Sequence, residues 1–216
     1  NVLEGGAGND VLVGGTNGAG GDTASYANAT AGVTVTLATT SAQNTVGAGT
    51  DTLSGFENVT GSAFGDTLTG TSGNNILLGL AGADALNGGA GADTLIGGAG
   101  LDTLTGGSGA DAFGFDFATD GLDTIRDFVS GTDFLQISAA GFGNGLVANA
   151  AVILATAADH TTASTPGTNG AFIFDNAGVD AGTVFWDANG GSGADAVALV
   201  KLLGVTSLLS SDFHVV

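Results

Sequence analysis

The sequence predicts an all-β protein: a right-handed parallel β-roll built from nine-residue repeats, with an antiparallel β cap at its C-terminal end. Three observations predict this fold. Glycine supplies 41 of the 216 residues, a nine-residue pattern repeats through the first half, and ten of the twelve phenylalanines lie at or beyond Phe113. A fixed short period is typical of solenoids. Clustered aromatic residues are typical of a conventional buried sheet.

The repeat has the form G-G-x-G-x-D-x-U-x, in which U is a large apolar residue. Three consecutive copies read GGAGADTLI, GGAGLDTLT and GGSGADAFG over residues 88–114, and GGAGNDVLV occupies residues 5–13. Weaker copies, GSAFGDTLT, GTSGNNILL and GLAGADALN, fill residues 61–87 in the same phase. The apolar column contains Val59, Leu68, Leu77, Leu86, Leu95, Leu104 and Phe113. The acidic column contains Glu57, Asp66, Asn75, Asp84, Asp93, Asp102 and Asp111.

Each repeat predicts one short strand and one turn. The x-U-x triplet forms the strand, with its central side chain inward because strand side chains alternate faces. The glycine-rich segment reverses the chain, because glycine permits positive backbone angles. Two repeats then make one coil, and successive coils stack as parallel strands about 4.8 Å apart. Alternate acidic residues therefore share an edge of the roll. One edge is expected to carry Asp66, Asp84 and Asp102, and the other Asn75, Asp93 and Asp111.

The charge balance narrows the classes of partner. The chain has 21 Asp and Glu residues against two Lys and Arg residues, for a net charge of -19. A nucleic-acid-binding protein needs a basic surface, so nucleic acid is excluded as a partner. Anionic membrane surfaces are disfavoured as partners for the same reason, and no apolar run is long enough for a membrane span. With no Cys, disulfides and thiolate metal sites are excluded as well.

The acidic columns favour a bound cation. Carboxylates stacked at the strand spacing repel one another, and almost no basic residue is available to neutralise them. Carboxylate and turn carbonyl oxygens are hard ligands in the number and geometry that Ca²⁺ prefers. The residues themselves therefore predict several Ca²⁺ ions in the turns.

The four perfect copies resemble the repeats-in-toxin (RTX) family, the haemolysin-type calcium-binding repeats of exported bacterial proteins. Segments 20–38, 51–70 and 123–138 also look like sequences that accompany such arrays. The resemblance implies Ca²⁺ between the turns of a parallel β-roll, each Asp being shared by neighbouring ions. It also implies secretion by type I machinery and folding on calcium outside the cell.

The candidate metal ligands follow from the columns and from the resemblance. The acidic candidates are Asp10, Asp66, Asn75, Asp84, Asp93, Asp102 and Asp111. The turn glycines included with them are Gly88, Gly89, Gly91, Gly97, Gly98, Gly100, Gly106, Gly107 and Gly109. Three departures from the pattern predict weaker or missing sites: the neutral Asn75, Leu80 in place of a turn glycine, and Phe64 in place of the fourth-position glycine.

A second group of candidate ligands lies outside the tandem array. Its members are Asp22, Asp51, Asp187, Asn189 and Asp195. The last three stand in the glycine-rich loop DANGGSGAD, for which a plain solvated turn is the alternative interpretation. The acidic stretch 116–133 allows either one further ion or pairing of Arg126 with a neighbouring carboxylate.

Composition divides the chain in two. Residues 1–114 are expected to form the roll, with a non-repeat excursion at about 26–50 that rejoins the solenoid near Asp51. Residues 115–216 are expected to form a β-rich capping and secretion-signal region. Within it, the hairpin 171–187 and the strand 196–203 predict the antiparallel cap, because a solenoid must protect its last coil. The chain contains no Met and no basic and apolar N-terminal signal, so we expect it to be the trailing part of a longer or processed protein.

The sequence favours a non-catalytic role. It contains none of the common zinc-protease, serine-hydrolase or P-loop motifs, and its two histidines, His160 and His214, are far apart. We expect a calcium-binding structural and export module, secreted or at the cell surface, with type I machinery as partner and self-association left open. One alternative is the C-terminal part of a secreted hydrolase such as a protease or lipase. Another is a self-assembling surface-layer or adhesin subunit.

Overall fold

A computed structural model describes residues 1–16, 20–142, 146, 154–157, 164–165, 170–188, 191–192 and 196–216. The regular secondary structure of these residues is almost entirely β strand. The first eleven strands are β1 (Val2–Leu3), β2 (Val11–Val13), β3 (Thr23–Ser25), β4 (Thr34–Thr36), β5 (Gln43–Asn44), β6 (Thr50–Ser54), β7 (Asn58–Thr60), β8 (Thr67–Thr69), β9 (Ile76–Ala81), β10 (Ala85–Ala90) and β11 (Thr94–Ala99). The next eleven are β12 (Thr103–Ser108), β13 (Ala112–Phe115), β14 (Asp123–Ile125), β15 (Phe134–Ile137), β16 (Leu154–Ala157), β17 (Ser164–Thr165), β18 (Ala171–Asp175), β19 (Thr183–Asp187), β20 (Gly191–Ser192), β21 (Val197–Leu202) and β22 (Phe213–Val215). A helical turn, α1 (Ala139–Phe142), follows β15, and a short 3-10 turn (Ser210–Asp212) precedes β22.

Two large sheets form the two faces of a roll, which confirms the predicted fold class. The first sheet has the order β1-β3-β7-β9-β11-β13-β15-β22, and all of its neighbours are parallel. The second has the order β16-β18-β19-β21-β14-β12-β10-β8-β4. Through the array the chain alternates between the sheets, so each pair of strands makes one coil. A smaller sheet, β2-β6-β5, lies in the N-terminal part.

The core of the roll is a ladder of apolar side chains from both sheets. In the first sheet Val59, Leu77, Leu95 and Phe113 pair in sequence, each 18 residues after the last. In the second, Leu68, Leu86 and Leu104 do the same. All are fully or almost fully buried. The alternation of strand side chains therefore places the apolar column inside the roll, as the repeat predicts.

The turns are close-packed against the turns of the coil before. Gly98 and Gly107 have φ of 91° and 99°, in the left-handed region that favours glycine. A Cβ on either would collide with the backbone carbonyl of the preceding coil, that of Leu80 or Gly89. At Gly98 and Gly107, glycine is therefore favoured both by backbone angle and by space.

The N-terminal excursion contributes strands to the roll. β4 pairs with β8, placing Val35 beside Leu68, and β6 pairs with β2, placing Leu53 beside Leu12. The segment between them returns through β5, which is antiparallel to β6. The predicted strand around Val35 is thus present at the edge of the second sheet.

The C-terminal region closes the roll with a hairpin, as predicted. β18 and β19 are antiparallel, and β19 is antiparallel to β21. The ring of Phe172 lies 4.8 Å from those of both Trp186 and Phe213, which packs the hairpin over the last coil. Ile173 and Phe185 form a separate cluster on the opposite face of the hairpin.

The last two strands extend the roll itself, which the repeat pattern does not reveal. β21 pairs in parallel with β14, and β22 pairs in parallel with β15. Leu202 therefore continues the column after Ile125, and Phe213 continues it after Leu135. Both sheets consequently run on past residue 114.

No helix among the described residues is both long enough and apolar enough to cross a membrane.

Replacing Leu95 by Ala should destabilise the folded chain by about 2–5 kcal/mol, because the cavity left in the ladder cannot close. Leu101→Ala is the matched control, because Leu101 is 67% exposed and surface changes typically stay within about 0.5 kcal/mol. Chemical denaturation at saturating calcium measures both variants. Equal losses would show that Leu95 is not in a close-packed core.

Candidate metal centre

The acidic residues form two columns, one along each edge of the roll. Each stands at the end of a glycine-rich turn, immediately before or at the start of a strand, so the strand register aligns it with its counterparts. The first column contains Asp66, Asp84, Asp102 and Asp123. The second contains Glu57, Asn75, Asp93, Asp111 and Asp133.

One carboxylate oxygen in each link of the first column accepts a hydrogen bond from the coil before it. The backbone N–H of Asp66 donates to Oδ1 of Asp84 at 2.7 Å, and that of Asp84 donates to Oδ1 of Asp102 at 2.8 Å. The N–H of Asp102 donates to Oδ1 of Asp123 at 2.9 Å. The carboxylates thus tie successive turns together.

The second column has the same linkage. The N–H of Asn75 donates to Oδ1 of Asp93 at 2.7 Å, that of Asp93 to Oδ1 of Asp111 at 2.9 Å, and that of Asp111 to Oδ1 of Asp133 at 3.0 Å. All of these carboxyl groups are buried. The two edges are therefore built alike.

The second oxygen of several of these carboxylates has no protein partner. Oδ2 of Asp84, Asp93 and Asp102 is buried and accepts no hydrogen bond within the described part of the chain. The same holds for Oδ2 of Asp10 and of Asp22. A buried, unpaired carboxylate oxygen is strongly unfavourable. These oxygens are the atoms at which a cation would be held.

The first glycine of each repeat leaves room beside that oxygen. A Cβ added at Gly79, Gly88 or Gly97 would collide with Oδ2 of the Asp five residues later. At Gly88, it would also lie 2.7 Å from the carbonyl oxygen of Gly106 in the next coil. A carboxylate oxygen and a backbone carbonyl oxygen therefore face the same small space.

This donor set fits Ca²⁺. Within the described residues, no three Asp, Glu or His side chains converge on one point, so an ion in these turns must be held largely by backbone carbonyls beside one or two carboxylates. Oxygen-only coordination that mixes carboxylates and carbonyls is typical of Ca²⁺, whereas softer metals prefer imidazole or thiolate.

Burial raises the pKa of several carboxyls in the array when no ion is present. The pKa rises to about 7 for Asp84, about 6 for Asp93 and about 8 for Asp123. Desolvation is the main cause, neighbouring carboxylates add to it, and the accepted backbone N–H bonds offset part of it. Burial also raises the pKa of Asp102, Asp111 and Asp120.

Asp123 and Asp133 are column members that the nine-residue phase missed. Asp123 follows Asp102 by 21 residues and Asp133 follows Asp111 by 22, where the repeat would give 18. Insertions of three and four residues in the turns shift the phase while the strands stay in register. The local signal was present, since both residues precede an x-apolar-x strand, as DTIR and DFLQ.

Asp66 and Asn75 lie in the columns as predicted, but both are hydrogen-bonded within their own turns. Ser62 donates to Asp66 through its backbone N–H at 2.6 Å and its hydroxyl at 2.8 Å. Thr71 donates to Asn75 through the same two groups, at 2.6 and 3.1 Å. As calcium ligands, Asp66 and Asn75 remain predictions.

The first repeat copy stacks on the segment where the excursion ends. The backbone N–H of Asp10 donates to Oδ1 of Asp51 at 3.0 Å, which is the link found between successive array turns. Oδ2 of Asp51 accepts from the hydroxyls of Tyr26 and Thr45 at 3.2 and 3.1 Å. Asp51 is therefore held by protein donors, whereas Asp10 keeps one unpaired oxygen.

The remaining predicted ligands are dispersed. The backbone N–H of Asp22 donates to Oε2 of Glu57 at 2.9 Å, so Asp22 precedes Glu57 at the N-terminal end of the second column. Asp187 is buried at the end of β19, within the cap. Asn189 and Asp195 lie outside the described residues. Asp127, beside Arg126, accepts from the backbone N–H groups of Gly106 and Gly107 at 3.0 and 2.8 Å.

Comparison with known proteins agrees with the repeat. The family model of the RTX calcium-binding nonapeptide repeat (4 copies) matches residues 1–23, 60–95 and 87–116. A solution structure of the AlgE6R3 subunit from the Azotobacter vinelandii mannuronan C5-epimerase is similar at 27% sequence identity and a TM-score of 0.44, covering 69% of this chain and 77% of that one. The comparison with curated proteins finds no match.

Without calcium, acid should stabilise the array. The unfolded Asp has a pKa of about 4, whereas folding raises that of Asp84 to about 7 and that of Asp123 to about 8. The folded state therefore retains protons that the unfolded state has lost, so its stability falls as pH rises from about 4 to about 8. Denaturant midpoints in excess chelator, followed from about pH 4 upward by the loss of array β structure, measure the effect until the metal-free array no longer folds.

Asp84→Asn and Asp123→Asn should each flatten that dependence, because the amide does not titrate. Saturating calcium should remove it, since the bound ion holds the carboxylates ionised. A metal-free midpoint that is constant or rises with pH would contradict the interpretation.

Proposed function

Because the chain carries RTX calcium-binding nonapeptide repeats, we propose that it is the calcium-dependent β-roll of an exported bacterial protein, folding fully outside the cell. The calcium-binding module is what its repeats encode. Secretion, folding after export and a non-catalytic role are the further parts of the proposal.

The observation that carries the proposal is the set of buried, unpaired Oδ2 atoms on Asp84, Asp93 and Asp102. An ion at each would neutralise a charge that burial otherwise disfavours, and would do so without any change in the strands. The raised pKa values of Asp84 and Asp93 have the same physical origin, since a proton on the carboxylate also removes the buried charge.

Each of these turns offers the same kinds of ligand. The Asp supplies Oδ2 and the glycine-rich segments supply carbonyl oxygens, as at Gly88 and Gly106. When bound, Ca²⁺ would supply positive charge and cross-link adjacent coils. Asp111 and Asp10 occupy equivalent positions in the two remaining perfect copies of the repeat.

Linkage makes such sites a folding switch. An ion that binds only the folded state adds about 2.7 kcal/mol per site when its free concentration is 100-fold above Kd. Extracellular calcium modules typically have Kd values of about 10⁻⁴–10⁻³ M. Several sites of this affinity would be empty in a cytosol poor in calcium and filled outside the cell.

The fold is compatible with an export signal in the last residues. β22 pairs with β15 at the outer edge of the first sheet, so Phe213 and Val215 are accessible as an extended segment only before the last coil forms. A transporter would thus read this segment from the unfolded chain. Fusing residues 160–216 to a passenger in a host with a type I exporter tests this part, and continued secretion of a chain lacking that segment would refute it.

Calcium should raise both the β circular-dichroism signal and the thermal midpoint of the chain, measured by titration from excess chelator into the millimolar range. Asp93→Asn should shift the calcium midpoint to higher concentration, because it removes an unpaired ligand oxygen. Asp180→Asn is the matched control, since it removes the same charge from the turn between β18 and β19, outside the array. Equal midpoints for the two variants would overturn the assignment of Asp93.

Magnesium should substitute poorly for calcium in the same titration. Mg²⁺ demands octahedral geometry at about 2.0–2.1 Å and loses its waters reluctantly, whereas these turns supply preset carbonyls and carboxylates. Equal stabilisation by the two ions at equal concentration would show that the effect is general charge screening.

A further inference from the structure

Five turns of the array are of two kinds. Three turns, at residues 79–84, 88–93 and 97–102, leave the Oδ2 atom of their Asp unpaired. Two others, at residues 61–66 and 70–75, contain a hydroxyl residue at the second position, and there the acidic-column residue has donors. We call these two the hydroxyl-closed turns.

The first hydroxyl-closed turn satisfies both oxygens of its carboxylate. Oδ2 of Asp66 accepts from the N–H of Ser62 at 2.6 Å, and Oδ1 accepts from the hydroxyl of Ser62 at 2.8 Å and from the N–H of Val33 at 2.7 Å. The Ser62 hydroxyl in turn accepts from the N–H of Phe64 at 3.1 Å. Three donors surround this carboxylate without any metal.

The second hydroxyl-closed turn repeats the pattern with no charge at all. Oδ1 of Asn75 accepts from the N–H and the hydroxyl of Thr71, and that hydroxyl accepts from the N–H of Gly73 at 3.0 Å. Nδ2 of Asn75 donates to the carbonyl of Glu57 at 2.6 Å. The amide therefore uses both of its ends within the protein.

Backbone conformation separates the two kinds of turn. In the turns that leave Oδ2 unpaired, the second residue has a left-handed conformation: Gly89 and Gly98 have φ of 106° and 91°, and Leu80, which replaces a glycine, has φ of 80°. Ser62 and Thr71 are not in this left-handed region. The hydroxyl residues thus select a different turn, in which their own N–H and O–H groups point at the acidic column.

The coils around the hydroxyl-closed turns have their own core and further satisfied polar groups. Val35, Leu53 and Leu68 are buried there. Asn58 donates to the carbonyl of Gly20 at 2.8 Å and accepts from the N–H of Ile76 at 3.0 Å. No ion is needed to complete these contacts.

We infer that residues 23–78 form a calcium-independent block, closed by Ser62 and Thr71, onto which the calcium-dependent coils of residues 79–133 add. The inference rests on the proposed function only for the second part. The exposed strand edges of β8 and β9 in the block then provide the template for β10 and β11, so that folding proceeds toward the C-terminus as ions bind.

Hydrogen exchange on the full chain in excess chelator tests the block directly. The amides of Val33, Leu37 and Thr67, which bond to Asp66, Thr69 and Val33, should stay protected. The amides of Thr103 and Ala112, which bond to the carbonyls of Asp84 and Asp93, should exchange freely and gain protection when calcium is added. If both groups gain protection together with calcium, or if neither group is protected in chelator, the block does not exist.

Side-chain variants separate the hydroxyl role from general destabilisation. The double variant Ser62→Ala with Thr71→Ala should lose the metal-free protection, and Ser62→Thr with Thr71→Ser should retain it. Ser108→Ala is the matched control, because Ser108 is exposed at the end of β12 and its replacement should leave the metal-free protection unchanged. Full protection in the double alanine variant would overturn the role of the hydroxyls.

The two proposals fail in different ways. If calcium changes no amide in residues 79–133, the proposed calcium-dependent function fails, while metal-free protection of residues 23–78 would still support the block. Loss of protection in residues 23–78 with a normal calcium response farther along would refute the block alone.

Discussion

The coils of Asp84, Asp93 and Asp102 depend on how a buried carboxylate divides its two oxygens. One oxygen accepts the backbone N–H of the preceding coil, as Asp84 does from Asp66. The other is left in a space too dry for an unpaired charge. The hydrogen-bonded oxygen sets the stacking of the coils. The unpaired oxygen makes that stacking depend on a bound cation or a proton. Fold and ion requirement are thus consequences of the same side chain.

Glycine makes this arrangement possible at two different positions. At Gly88 the absent Cβ leaves room for the carboxylate oxygen, and at Gly98 the absent Cβ allows contact with the carbonyl of the coil before. Leu80 shows that the backbone angle matters more than the residue type, because it keeps the left-handed conformation at a position where glycine is usual. A leucine there carries the strain of a positive φ and still leaves the Oδ2 atom of Asp84 unpaired.

The two ends of the roll are stabilised by different contacts from those in its middle. The array alone would present open strand edges, which natural sheets protect. At the C-terminal end, β21 and β22 add strands to both sheets, and the hairpin β18-β19 packs aromatic rings over them. At the N-terminal end, Asp51 is held by the hydroxyls of Tyr26 and Thr45. Protein donors thus take the place of ions where the repeat is interrupted.

Much of this could be predicted from the sequence, because a fixed period carries its own register. The column from Val59 to Phe113 and the acidic column beside it lie where the nine-residue phase placed them. The hairpin was also predictable, since Phe172 and Phe174, and then Val184 and Trp186, recur at the two-residue spacing typical of strands. These features depend only on neighbours along the chain.

The sequence by itself therefore determined the coil, its apolar ladder and its acidic edges, because each is repeated locally and stacking follows from strand geometry. Only the tertiary structure decided which carboxylates are already satisfied, since Asp66 and Asp84 look alike in the repeat but only Asp66 lies within reach of a serine hydroxyl. It also decided that Asp123 and Asp133 belong to the columns and that Phe213 stacks on Leu135, 78 residues away. Such contacts depend on which strands pair across insertions and long connections. A nine-residue pattern does not specify that pairing.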